Sequence, residues 1–212
     1  MAVWTDFWGD RILPHVIDKA CGNQQVQPYR EDACTGLVGR VLELGFGSGH
    51  NIGLYPLAVT EVVAVEPSET AWRMSAPRRE GSRTPVVRGG LDGQRLPYGD
   101  GEFDAVLSTF TLCTIADVDA ALAEARRVLR PGGMLAFAEH GLAPDAGVQR
   151  WQRRLDPIQG AVFGGCHLSR DIPGLLDRAG FDVTLARAEY LPGPGFMKAW
   201  GWGWAGRGIR VG

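Results

Sequence analysis

From Gly39 onward, short apolar runs alternate with helical stretches, and this alternation constrains the fold more than any other feature. The runs are Arg40–Leu44, Glu61–Val65, Pro85–Val87, Phe103–Thr109, Met134–Glu139, Phe181–Leu185 and Phe196–Trp204. Most are apolar on both faces, as parallel strands covered by helices are. The clearest helix is 118–129, where Val118, Ala121, Leu122, Ala125 and Leu129 share one face. Asp117 is placed to cap it and Pro131-Gly132-Gly133 to stop it. Such alternation predicts a doubly wound α/β sheet, one domain in a chain of 212 residues. Ahead of it, Trp4, Phe7, Trp8, Ile12 and Val16 fall at helical spacing, interrupted at Pro14. Residues 1–37 are expected to form helices capping a site in a domain of residues 38–212. Ligands of such sheets sit at the carboxyl ends of the strands, so the chemistry belongs there.

The first run leads into Glu43-Leu44-Gly45-Phe46-Gly47-Ser48-Gly49-His50-Asn51. Glycine at every second position lets the backbone turn sharply and approach a ligand closely. A dinucleotide fingerprint needs glycine at its first, third and sixth positions. Here the third glycine arrives one residue early, at Gly49, and His50 takes the sixth place. That disfavours a pyrophosphate, and no Gly-Lys-Ser/Thr follows to make a P-loop. The second run ends in Glu66-Pro67, where a carboxylate can accept from both hydroxyls of a ribose.

The loop and the acidic strand end resemble the class I S-adenosylmethionine-dependent methyltransferases, of the methyltransferase type 11 group. Three further segments agree. Leu91-Asp92-Gly93-Gln94-Arg95-Leu96-Pro97 resembles the family's segment after strand three, with Leu91 where the family carries glycine. Phe103-Asp104-Ala105-Val106 resembles its strand four, and Leu129-Arg130-Pro131-Gly132-Gly133 the turn before strand five. The resemblance implies a Rossmann-like, mostly parallel seven-stranded sheet with an antiparallel last strand and helices on both faces. It implies S-adenosyl-L-methionine as cofactor. Gly45, Gly47 and Gly49 would cradle its amino-acid part, and Glu43 would orient that loop. Glu66 would hold the ribose, Asp92 the adenine amino group with Gly93 beside it, and Ser108 and Thr109 the methionine portion. Phe46, Asn51 and Pro67 complete the expected cofactor site. An NAD-linked oxidoreductase and a non-catalytic cofactor-binding protein are the alternatives; the early glycine and the lack of a Tyr-x-x-x-Lys pair argue against the first.

A narrower likeness bears on the acceptor. Leu107–Ile115, Glu139-His140-Gly141, Gly164–Arg170, Pro28-Tyr29-Arg30 and Tyr190–Pro194 resemble a subgroup that includes animal alkyl-thiol methyltransferases and bacterial relatives. A small, apolar acceptor is implied, with a thiol first and phenol, quinone or amine next. His140 closes the fifth run, where an imidazole of pKa about 6.5 suits a thiol of about 8.5, and it is the expected base. Cys113 is expected to pack, Cys166 to line the pocket, and Ser169 to cap a helix. Trp200, Trp202 and Trp204 alternate with glycine and are expected on one strand face, packed or available for self-association or lipid contact.

Charge and composition narrow the partners. Twenty-two basic against 24 acidic residues give a net charge of −2, which speaks against nucleic acid. The four cysteines form no C-x-x-C and no zinc pattern, so no metal is expected. No basic region precedes an apolar run at the start, and no apolar stretch reaches about 18 residues. A cytoplasmic monomer or homodimer, with at most a peripheral membrane contact, is the expectation.

Overall fold

The computed structural model describes residues 8–211. Seven strands form one sheet: β1 Gly39–Leu44, β2 Val59–Val65, β3 Val86–Gly90, β4 Phe103–Thr109, β5 Leu129–His140, β6 Phe181–Tyr190 and β7 Trp202–Arg210. Their order is β3-β2-β1-β4-β5-β7-β6. β1 pairs in parallel with β2 and β4, β2 with β3, and β4 with β5; β7 runs antiparallel to both β5 and β6. The strand order reverses between β1 and β4, which opens a crevice at their carboxyl ends.

Among the described residues eight α-helices flank the sheet: α1 Leu13–Cys21, α2 Gln27–Cys34, α3 Glu69–Met74, α4 Ala76–Glu80, α5 Val118–Val128, α6 Ala146–Val162, α7 Ile172–Arg178 and α8 Lys198–Gly201. Successive strand residues face opposite layers. Leu42 and Leu44 of β1 and Leu135 and Phe137 of β5 pack with Leu122 of α5 and Leu176 of α7. Val41, Ala136 and Ala138 face the other way, onto Tyr29 and Cys34 of α2. Tyr29, Ala33 and Cys34 are all buried, so α2 shares in the core. The Asp117 side chain accepts from Ala120 N at 3.0 Å and caps α5, as its sequence predicts. A π-helical turn, Trp8–Ile12, runs directly into α1 and gives way to α-helix just before Pro14, which sits in the first turn of α1. Trp4 and Phe7 lie outside the described residues.

The last strand departs from expectation. Gly195–Met197 is a 3-10 turn, α8 follows, and β7 begins only at Trp202. Trp200 is therefore helical, and its indole donates to Gln159 Oε1 at 3.0 Å. Trp202 and Trp204 do share a strand face, with ring centroids 6.2 Å apart. The glycines mark the strand better than the aromatics do. β7 is wedged between two neighbours, and a Cβ at Gly206 would lie 2.5 Å from Thr184 O. The helix expected to start at Ser169 starts later: Asp171 caps α7 by accepting from Gly174 N, and Ser169 bonds Asp156 instead. Among the described residues no helix is long and apolar enough to cross a membrane.

Candidate active site

A cavity of about 560 Å³ opens at the carboxyl ends of β1 and β2, within the roughly 300–1,000 Å³ of small-molecule sites. Its floor is the glycine loop. Gly45, Gly47 and Gly49 have φ of 64°, 58° and 83°, a left-handed region that only glycine enters cheaply. Gly45 N and Phe46 N donate to Val65 O at 2.9 and 3.2 Å, which ties the loop to β2. Glu66 completes the tie: Oε2 accepts from Gly47 N at 2.6 Å and Oε1 from Ser68 N at 2.7 Å. Only 5% of Glu66 is exposed, and burial pushes its carboxyl above the usual range. Each carboxylate oxygen keeps a second acceptor site for a ligand hydroxyl.

Of the residues expected to hold a cofactor, Gly45, Phe46, Gly47, Glu66, Pro67, Asp92, Gly93 and Thr109 line this cavity together. Asp92 is at the exposed rim, where the Gln94 side chain and backbone N–H hold its carboxyl low. Glu43, Gly49, Asn51 and Ser108 lie behind the wall. Asn51 donates to Glu43 Oε1 and to Thr109 Oγ1, both at 2.9 Å, and Tyr55 OH donates to Glu43 Oε2 at 2.5 Å. Glu43 thus orients the loop region through Asn51 and does not reach the cavity itself.

Arg30 is the residue that reading the sequence missed. Its buried guanidinium donates to Asn51 Oδ1 and Thr109 Oγ1, both at 2.8 Å, and to Cys21 O, and it lines the cavity. Its only sequence signal is membership of Pro28-Tyr29-Arg30. Phe110, also on the wall, has a φ of 54°, a strain worth about 1–3 kcal/mol for a non-glycine residue.

Burial pushes the Glu43 carboxyl up to about 7, against hydrogen bonds from Tyr55 and Asn51 that lower it. Unfolded, it ionises near 4.5. Its contribution to stability is therefore complete below that value and is lost as pH rises through about 7. The loss amounts to about 3 kcal/mol. Denaturant unfolding at pH 4 and pH 8 should show wild type losing that much more stability than Glu43→Gln. Equal losses in both proteins would remove Glu43 as the source.

The expected base is misplaced. His140 does not line the cavity; its Nε2 lies 3.0 Å from Cys166 Sγ, which is 3.9 Å from Cys113 Sγ. Cys113 and Cys166 are buried, and the Cys113 contact together with burial pushes the Cys166 thiol up. Cys166 is likewise no lining residue. The histidine on the wall is His50, with Nε2 2.9 Å from Asp18 Oδ1. Burial pulls the His50 ring down.

A doubly wound sheet, a glycine loop that disfavours pyrophosphate and a buried carboxylate one strand over define a nucleoside-binding α/β domain. Residues 42–137 match the methyltransferase domain family. The chain is 35% identical over 177 residues to thiol S-methyltransferase TMT1B of Homo sapiens, covering 77% of this chain and 71% of that protein. It is 38% identical over 160 residues to the demethylmenaquinone methyltransferase of Thermobifida fusca, covering 71% and 68%. A crystal structure of a SAM-dependent methyltransferase from Thermotoga maritima, described as a possible histamine N-methyltransferase, superposes with a TM-score of 0.64 at 23% identity, over 98% and 99% of the two chains. The chain belongs to the S-adenosylmethionine-dependent methyltransferase family. It spans between 59% and 71% of the length of the animal thiol methyltransferases it matches.

Proposed function

We propose that the chain methylates the sulfur of a small, apolar thiol, with quinone-type, phenolic and amine acceptors as the next classes. The observation that carries this reading is Glu66, a buried carboxylate that closes the glycine loop and faces a cavity large enough for a nucleoside. Bound S-adenosyl-L-methionine supplies an electrophilic methyl group on a sulfonium. The residues present fit that cation: carboxylates and close backbone, with no phosphate cradle. Glu66 accepts from the ribose hydroxyls, and Asp92 with Gly93 meets the adenine edge. Gly45, Gly47, Thr109 and Arg30 line the same cavity and would hold the amino-acid end, Arg30 offering its guanidinium to the carboxylate. Phe46 and Pro67 would pack beside the nucleoside. Gly49, Asn51, Ser108 and Glu43 hold those groups from behind.

The acceptor side is apolar. Leu13 and Ile17 of α1 line the cavity together with Phe110 and Ile115, and in this reading the N-terminal helices cap it. Fixing an acceptor there in line with the methyl group supplies roughly 7–11 kcal/mol of barrier lowering. A thiol as acidic as cysteine needs no strong base, since a few per cent is thiolate near pH 7. That fits a wall whose histidine is already bonded to Asp18. Both thiol and menaquinone-precursor methyltransferases stand among the relatives, and the apolar wall suits either acceptor. A cytoplasmic setting, which keeps the four cysteines reduced, belongs to the same reading.

Calorimetry with S-adenosylhomocysteine, then incubation with methyl-labelled cofactor and a panel of alkyl thiols, phenols and amines, tests this. Binding with label on the thiols is the expected result. Label on phenols or amines alone would replace the acceptor; absence of binding would end the reading.

A further inference from the structure

Cys113, His140 and Cys166 come from three segments far apart in sequence. Cys113 sits in the turn after β4, His140 ends β5, and Cys166 follows α6. Their ligand atoms all lie within 4.8 Å of one another. We propose that this triangle is a metal site of the zinc class, with the two thiolates and His140 Nε2 as ligands and an open fourth position.

The distances suit that ion. Tetrahedral zinc with Zn–S near 2.3 Å sets two thiolates about 3.8 Å apart. Cys113 and Cys166 stand at 3.9 Å. A thiolate and an imidazole nitrogen on one zinc lie about 3.5 Å apart. His140 Nε2 and Cys166 Sγ stand at 3.0 Å, so seating the ion moves them apart by about half an ångström. The donor set, two soft sulfurs and an imidazole, selects zinc over magnesium or calcium.

The charge balance also suits a buried place. Binding one Zn²⁺ releases a proton from each thiol to solvent, and the complex with neutral His140 carries no net charge. Two bare thiolates or a bare dication would be costly there. Access remains from one side: Cys113 and Cys166 are 2% and 7% exposed, whereas His140 is half-buried.

Among the described residues no fourth cysteine, histidine or carboxylate joins the group. Structural zinc sites close with four protein ligands, whereas three with an open position leave room for water or an exogenous thiolate. The site also staples the loop around Cys166 onto the sheet. His167 N already donates to Cys113 O at 2.9 Å, and the adjoining Gly164 and Thr114 line the cofactor cavity. Metal would therefore fix the cavity's far wall.

Cobalt titration of the fully reduced, chelator-treated protein tests this independently of methyl transfer. One equivalent of Co²⁺ should give the thiolate-to-cobalt charge-transfer band in the near ultraviolet and the visible bands of a tetrahedral ion. Zinc should erase both. Cys113→Ser, Cys166→Ser and His140→Gln should each weaken binding at least tenfold, while Cys21→Ser should not. Circular dichroism would identify any variant that fails to fold; for such a variant, zinc per protein by elemental mass spectrometry on wild type decides instead. No cobalt band with all four thiols titratable, or bands unchanged in folded variants, would overturn the proposal.

Discussion

Glu139→Ala is expected to lower the thermal midpoint by about 10 °C or more. Glu139 is fully buried at the carboxyl end of β5. Its Oε1 accepts from Ser108 Oγ at 2.9 Å, Thr111 N at 2.9 Å and Leu112 N at 3.0 Å, and Oε2 takes a longer bond from Cys113 N. One carboxyl thus satisfies most of the turn after β4. Alanine orphans these donors, at about 1–3 kcal/mol each, and leaves a cavity besides. At the lower bound the four donors alone cost about 4 kcal/mol, and a domain of this size loses about 2–4 °C per kcal/mol. Burial holds the Glu139 carboxyl above its usual range, so a neutral isostere should be accepted. Glu139→Gln keeps an oxygen where Oε1 stands and should fall within about 3 °C of wild type. Scanning calorimetry of the two variants decides. An alanine variant as stable as wild type, or a glutamine variant as weak as alanine, would contradict the account.

Local signals served the fold better than the site. Phe103–Thr109 is a strand over the very residues its apolar run predicts, because an unbroken buried run needs no partner to be recognised. Asp117 works as a cap for the same reason: its bond closes within three residues. β5 is longer than its apolar run, beginning at Leu129. Phe103 pairs with Leu129 and Ala105 with Met134, so Arg130–Gly133 bulge out of the ladder. β7 was hidden because the chain there is mostly glycine, alanine and arginine. Only the closeness of β5 and β6 explains such a strand, and that closeness is tertiary. That the loop, Glu66 and Asp92 gather at one cavity was readable because each follows a strand end. Arg30, Glu139 and the Cys113–His140–Cys166 triangle follow no local rule. Each joins segments many residues apart, and register alone aims their side chains.

Glu66→Ala should weaken S-adenosylhomocysteine binding by at least a hundredfold. A charge-assisted contact to the ribose accounts for about 1.5–3 kcal/mol, up to about a hundredfold in affinity. The remainder comes from the protein itself. Gly47 N and Ser68 N both end on this carboxylate, so its removal frees the loop that must be fixed before a ligand can sit on it. Ordering a freed residue costs about 1–2 kcal/mol on binding, and that cost falls on affinity. Arginine is no remedy nearby: Arg88 donates to Glu66 O, not to the carboxylate. Glu66→Gln separates the two contributions. Its oxygen can keep one backbone donor while its amide nitrogen opposes the other, so the loop is half-held and the loss should be intermediate. Ser68→Ala is a second control, since it removes the cap on Ala71 N without touching the Glu66 oxygens. It should shift stability by about 1 kcal/mol and leave affinity within a few-fold. Calorimetric affinities for the three variants at one pH would read this out. Affinity unchanged in Glu66→Ala would take the carboxylate out of the site. Equal losses in the alanine and glutamine variants would mean that the charge of the carboxylate on the ribose, rather than the loop tie, carries the binding energy.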